Sequence, residues 1–240
     1  MEIDPRSRGI GSTLAGSQAR GISTEGIALA RFIELLDKGP ANQRAAPTSI
    51  TLPPQLYAAL RKVADDSYSD GVEHGGVFGY FSGEPVKFGI LYATGEAFQL
   101  EYPAARVWPA LHRLGRFHTH LYAVLTRGPL QAGWAGGGHS GDDLTNFLRN
   151  EENASIVYAQ TMRGSWKIYF LLKPQEAHLP GVPGKVGKDV GKDYEQRVKA
   201  LVTKGVNPIE ASELELKGLA QQGTFMFYSS LDSPTLARQF

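Results

Sequence analysis

Apolar residues recur along this chain in two periods, and the switches between them mark its elements. Leu29, Phe32, Ile33 and Leu36 stand at i, i+3, i+4 and i+7, the stripe of a short helix that Gly39-Pro40 ends. Ile50 and Leu52 in "SITLPP" alternate as in a strand. "PQLYAALRKVADD" returns to the helical period with Leu56, Leu60 and Val63 on one face and Pro54 near its start. "GGVFGYF" is strand-like, with small residues where another group comes close. "VKFGILYAT" and "AFQLEY" predict two more strands. In "ARVWPALHRLG", Val107, Ala110, Leu111 and Leu114 have helical spacing, so a helix is expected from near Trp108, followed by a strand end at "RFHTH". "SGDDLTNFLRN" predicts a helix, and "ASIVYAQT" and "SWKIYFLL" predict two strands joined by a turn at Arg163-Gly164. "DYEQRVKALVTKG" and "NPIEASELELKGLAQQG" predict two helices, and "TFMFYSS" a last strand.

Between these elements the composition shifts. Residues 1–22 are rich in Gly, Ser and Arg and lack aromatics, so they cannot bury much and are expected to be disordered. "PANQRAAPTS" has the character of a linker and "LPGVPGKVGKDVGK" of a Gly/Lys-rich spacer. "YAVLTRGPLQAGWAGGGH" is a Gly-rich loop of unusual length for a compact domain. The expected organisation is an arm with one short helix over 1–47, an α/β domain over 48–173, and a spacer with a helical C-terminal extension over 174–240.

Charge and composition narrow the function. The chain has 240 residues, 42% of them hydrophobic, enough for a sizeable core. A net charge of +1 and the absence of interleaved basic and aromatic stripes give no reason to expect nucleic acid as a partner. There is no cysteine, which removes disulfides, thiolate metal sites and thiol nucleophiles. No apolar run is long enough to span a membrane. The first twenty residues have no apolar core of the secretory-signal kind. A cytoplasmic protein, or an effector exported by a signal-independent route, is compatible with this. A phosphate-binding G-x-x-x-x-G-K-[ST] loop and a G-x-S-x-G elbow are both missing.

The remaining chemistry centres on "GRFHTH". Residues two apart on a strand share a face, so His118 and His120 can offer ring nitrogens to one ion, or form a polar pair on a solvent-facing edge. Asp143 in "HSGDDL" opens a helix and could aim back at the strand end. Ser140, three residues earlier, makes a capping box with it the competing reading. Glu73 in "VEHGGVFGYF" is either the last solvated residue before an apolar strand or a base for metal-assisted hydrolysis. His74, His112 and His178 are expected to be packing or surface residues.

The order of these pieces resembles the JAMM (JAB/MPN) metalloprotease family, over about residues 48–173. A glutamate precedes a small-residue strand in "EHGGVFG", a His pair ends a strand in "LHRLGRFHTH", and a serine and an aspartate open the next helix in "SGDDL". Two features depart from the family pattern. Leu121 stands where a proline usually follows the second histidine, and the step from His120 to Ser140 is lengthened by "LTRGPLQAGWAGGG". That insertion keeps Asp142, and more weakly His139, as alternative third ligands. It would make 122–138 either a flap with Trp134 on substrate or a simply packed loop.

The resemblance implies a JAB/MPN-like (cytidine-deaminase-like) mixed β-sheet flanked by helices. It implies Zn2+ held by His118, His120 and Asp143, with Glu73 as general base and acid and Ser140 stabilising the oxyanion. It further implies cleavage of a peptide or isopeptide bond in a peptide or a ubiquitin-like conjugate, a deubiquitinase-like activity. The alternative within the family is a catalytically silent scaffold for protein interactions.

Overall fold

The computed structural model describes residues 24–81, 87–96, 99–100, 111–121, 137–161, 163–175 and 183–240. The predicted loop over 122–136, with Trp134, lies outside them, as do the N-terminal arm, residues 101–110 and His178.

Among the described residues nine strands form one mixed sheet. In chain order they are β1 (Ser49–Thr51), β2 (His74–Phe81), β3 (Lys87–Glu96), β4 (Gln99–Leu100), β5 (Leu111–His120), β6 (Ala154–Gln160), β7 (Trp166–Leu172), β8 (Met226–Leu231) and β9 (Thr235–Arg238). Their spatial order is β1-β9-β8-β7-β6-β5-β2-β3-β4. Eight of them run as a continuous ladder, and the two-residue β4 pairs only with the end of β3. Every neighbouring pair is antiparallel except β5 with β6. The chain must cross over to make that parallel pair, and the crossover carries helix α3 (Gly141–Arg149).

Helices cover both faces. α1 (Thr24–Lys38) and α2 (Pro54–Asp70) lie on one face, where Leu36, Leu56, Leu60 and Val63 pack with Phe78, Phe117, Ile156 and Phe170. α3, α4 (Pro183–Thr203) and α5 (Pro208–Gln221) lie on the other, where Leu144, Phe147, Tyr194 and Leu216 pack with Val157, Tyr169 and Phe227. Pro54 starts α2, and Gly71 closes it in a left-handed cap at φ 75°. Among the described residues no helix is long and apolar enough to cross a membrane.

Three expectations are corrected. Leu111–Leu114 belong to β5 and not to a helix. A strand covered on both faces buries residues three apart as readily as a helix does, so the spacing of Leu111 and Leu114 did not discriminate. His112, expected on a helix, therefore sits on that strand, half exposed, with Nε2 2.8 Å from Asp37. The predicted spacer is helical from Pro183, so α4 begins ten residues before "DYEQRV". After α5 the chain also returns to the sheet: β8 pairs with β7, and β9 lies between β8 and β1. The strand β9 was not anticipated. The sheet thus continues beyond residue 173, and α1 is tied into it by Asn153, whose side-chain amide donates to the Leu36 carbonyl at 2.8 Å.

The glycines of β2 have a structural reason. A Cβ at Gly76 would lie 2.2 Å from the Leu91 carbonyl oxygen and 3.0 Å from the Phe117 ring. The group that comes close to this strand is therefore its own neighbours.

Candidate metal centre

The parallel pair β5–β6 sets the site. His118 and His120 stand at the C-terminal end of β5, on the face covered by α3, with Phe117 and Thr119 turned to the α2 face. Both rings are buried, so the solvent-facing edge is excluded as their setting. Their Nε2 atoms are 3.1 Å apart. The crossover then delivers α3 with its N-terminus at this strand end. Asp143 Oδ1 lies 3.3 Å from His118 Nε2, and Oδ2 lies 3.5 Å from His120 Nε2.

Donor atoms about 2.0–2.1 Å from a tetrahedral ion lie roughly 3.3–3.4 Å from one another. With one donor atom from each residue, the three lie within 4.8 Å of one another, near enough for one ion to draw them in, and the donor set of two imidazoles and one carboxylate suits a borderline ion. His118, His120 and Asp143 thus form a buried group that could hold a metal ion. Asp142 is exposed on the next position of α3 and does not join it.

The two readings of Ser140 and Asp143 coexist. Ser140 is the N-cap of α3: its Oγ accepts the Asp143 N–H at 3.0 Å, and its own N–H donates to Asp143 Oδ2 at 2.8 Å. The capping box fixes the rotamer that presents Asp143 to the histidines. His120 makes a further hydrogen bond to the backbone of Gly138.

Glu73 sits one residue before β2, with Oε1 3.9 Å from His120 Nε2 and its side chain only 13% exposed. Burial pushes its carboxyl up to about 7, the nearby His118 opposes that rise, and Asp143 adds to it. A carboxyl poised near neutrality beside a candidate metal centre has the proton affinity that general acid–base work needs. Burial also opposes charge on Asp143, but the flanking His118 outweighs it and holds the carboxyl well below its usual range. At His118 burial favours the neutral ring, yet Asp143 raises its proton affinity above the ordinary value. Burial and the neighbouring His118 push His120 down to about 4.

No known family, curated protein or solved structure matches this chain.

Two further described histidines lie outside this group. His74 faces the α2 side and pairs with Asp70 at 2.7 Å. His139 is buried and lies outside the ligand group, with Nε2 3.0 Å from Ser155 Oγ. Its Nδ1 has no hydrogen-bond partner among the described residues.

The helices after residue 182, for which the sequence suggests no role, form the bed of the site. α4 packs so closely on α3 that a Cβ at Gly191 would lie 2.2 Å from the Gly141 carbonyl oxygen. Tyr194 reaches from α4 to Ser212 of α5 at 2.7 Å in the same buried layer. The spacing of Gly191, Tyr194 and Val198 is the sequence signal that could have revealed this packing.

Proposed function

We propose that the protein is a zinc-dependent hydrolase of the JAMM type, on a JAB/MPN-like fold, that cleaves a peptide or isopeptide bond. The observation that carries this reading is the convergence of His118, His120 and Asp143, one donor atom of each within 4.8 Å of the others, with Glu73 Oε1 3.9 Å from His120 Nε2 beside them. Zinc, when bound, supplies Lewis-acid polarisation and lowers the pKa of water at the site. The residues divide the remaining work. His118, His120 and Asp143 hold the ion. Glu73 takes the proton of the attacking water and delivers it to the leaving nitrogen. The Ser140 hydroxyl, at the N-terminus of α3, donates to the oxyanion as it develops. The substrate class, a peptide or a protein conjugate such as one of a ubiquitin-like protein, follows from the resemblance to the JAMM family.

The test is metal content by elemental analysis on the parent protein, His118→Ala and Glu73→Gln, with hydrolysis of ubiquitin-like conjugates and peptides measured alongside. About one zinc per chain is expected in the parent and in Glu73→Gln, and little in His118→Ala. Hydrolysis is expected in the parent alone. Loss of zinc in Glu73→Gln would make Glu73 a ligand. A parent that takes up no zinc after reconstitution would leave the scaffold reading in its place.

A further inference from the structure

Thr119 lies between the two histidines, yet its side chain is on the opposite face of the sheet and is fully buried. A buried hydroxyl there must be hydrogen-bonded, and its partners are specific. Ser67 Oγ of α2 is 2.6 Å away. The His74 N–H donates to Thr119 Oγ1 at 3.1 Å and also to Ser67 Oγ at 3.1 Å. The Thr119 hydroxyl lies 3.1 Å from the His74 carbonyl oxygen, to which it donates. Donation from Ser67 to Thr119 completes a set in which each hydroxyl proton has one acceptor.

These bonds occupy a particular place. The backbone ladder between β2 and β5 has Gly75 opposite His118 as its last pair on this side. Continued by one residue, it would set His74 opposite Thr119. There the Thr119 side chain holds both the N–H and the C=O of His74. Glu73 is the next residue, and the alternation that turns His74 toward α2 turns Glu73 toward the histidines.

From this geometry we infer that Thr119 and Ser67 are positioning residues for Glu73, and that the threonine of His-Thr-His ties the general base to the same strand that carries two of the ligands. The inference rests on the proposed function. Each ligand histidine is one bond away from the residue that fixes the base, so the distance between base and ion is set by a single strand end. The methyl group of Thr119 contributes packing, and the hydroxyl carries the positioning.

The test uses the zinc-loaded full chain and acetohydroxamate, whose two oxygens chelate zinc and whose proton is shared with a carboxylate beside the ion. Its affinity is measured for the parent, Thr119→Val, Thr119→Ser, Ser67→Ala, Glu73→Gln and the double variant Thr119→Val/Glu73→Gln, with zinc content per chain for each. Thr119→Val keeps the shape and removes the hydroxyl. It is expected to retain zinc and to lose hydroxamate affinity on the order of tenfold, the scale of outer partners at metal sites. Thr119→Ser is expected to restore the affinity, and Ser67→Ala to lose part of it. Thr119→Val is expected to add nothing to Glu73→Gln, because it acts through that carboxylate. Equal losses in both backgrounds, or zinc-loaded Thr119→Val with the parent's affinity, overturn the inference alone. If Thr119→Val does not fold, Ser67→Ala with the affinity of the parent overturns it. A parent without zinc overturns the proposed function and the inference together.

Discussion

At the scale of single residues, the candidate ligands compete with a proton. Asp143 raises the proton affinity of His118, whereas burial leaves His120 neutral down to about pH 4. Metal binding requires both rings neutral. The metal-free protein therefore holds a proton on His118 below that ring's raised pKa and must release it on binding. Zinc affinity is expected to fall as the pH drops through the His118 value, with no loss above it. Calorimetric titrations in buffers of different ionisation enthalpy should register proton release on zinc binding that is greater at acid than at alkaline pH. A pH-independent affinity with no proton release would overturn either the raised proton affinity of His118 or its role as a ligand. The buried Asp143 carboxylate is ionised throughout, because the neighbouring His118 holds its pKa well below the usual range.

At the scale of elements, helix α3 places the third candidate ligand, Asp143, and its position depends on what lies behind it. Its first turn is locked by the Ser140–Asp143 box, and its outer side rests on α4 where Gly141 and Gly191 meet. Gly191→Ala puts a methyl group into the Gly141 carbonyl and the Thr145 hydroxyl, both 2.2 Å from the position it would take. Overpacking of this kind costs about 1–3 kcal/mol. The variant should show that loss in its urea unfolding midpoint. It should also need more zinc for half-saturation, because α3 must shift and carry Asp143 with it. A zinc affinity equal to the parent's in a destabilised Gly191→Ala would mean that α3 absorbs the strain away from its first turn.

At the scale of the whole molecule, the C-terminal strands belong to the structure that holds the site. Met226, Phe227 and Tyr228 of β8 are fully buried, and β8 covers the edge of β7. A chain ending at residue 223 would leave β7 as an open edge and remove Tyr228 and Leu236 from the core around α2. It is expected to be aggregated or to lack fixed packing, seen as lost near-ultraviolet dichroism and a large hydrodynamic size. A monomeric, zinc-binding protein of that length would show that residues 24–223 are self-sufficient.

Local pattern alone carried much of this. The helical stripes at 29–36 and 54–66, the paired strands around Arg163-Gly164 and the helix at "SGDDL" were legible because each buries one face with its own period. His118, His120, Asp143, Glu73 and Ser140 were legible as residues because few side chains can bind a metal or move a proton, and their order along the chain was distinctive. Other features had no local signal. The strand Leu111–Leu114 has the apolar spacing of a helix because both faces of the sheet are covered. Strand β9 is four residues long and exists because β8 and β1 stand on either side of it. The choice of Asp143 over Asp142 depends on which carboxylate the cap turns inward, and the raised carboxyl of Glu73 depends on burial. Chain order determined which chemistry was available; the separations of a few ångströms that let it converge are decided by packing between segments remote in sequence.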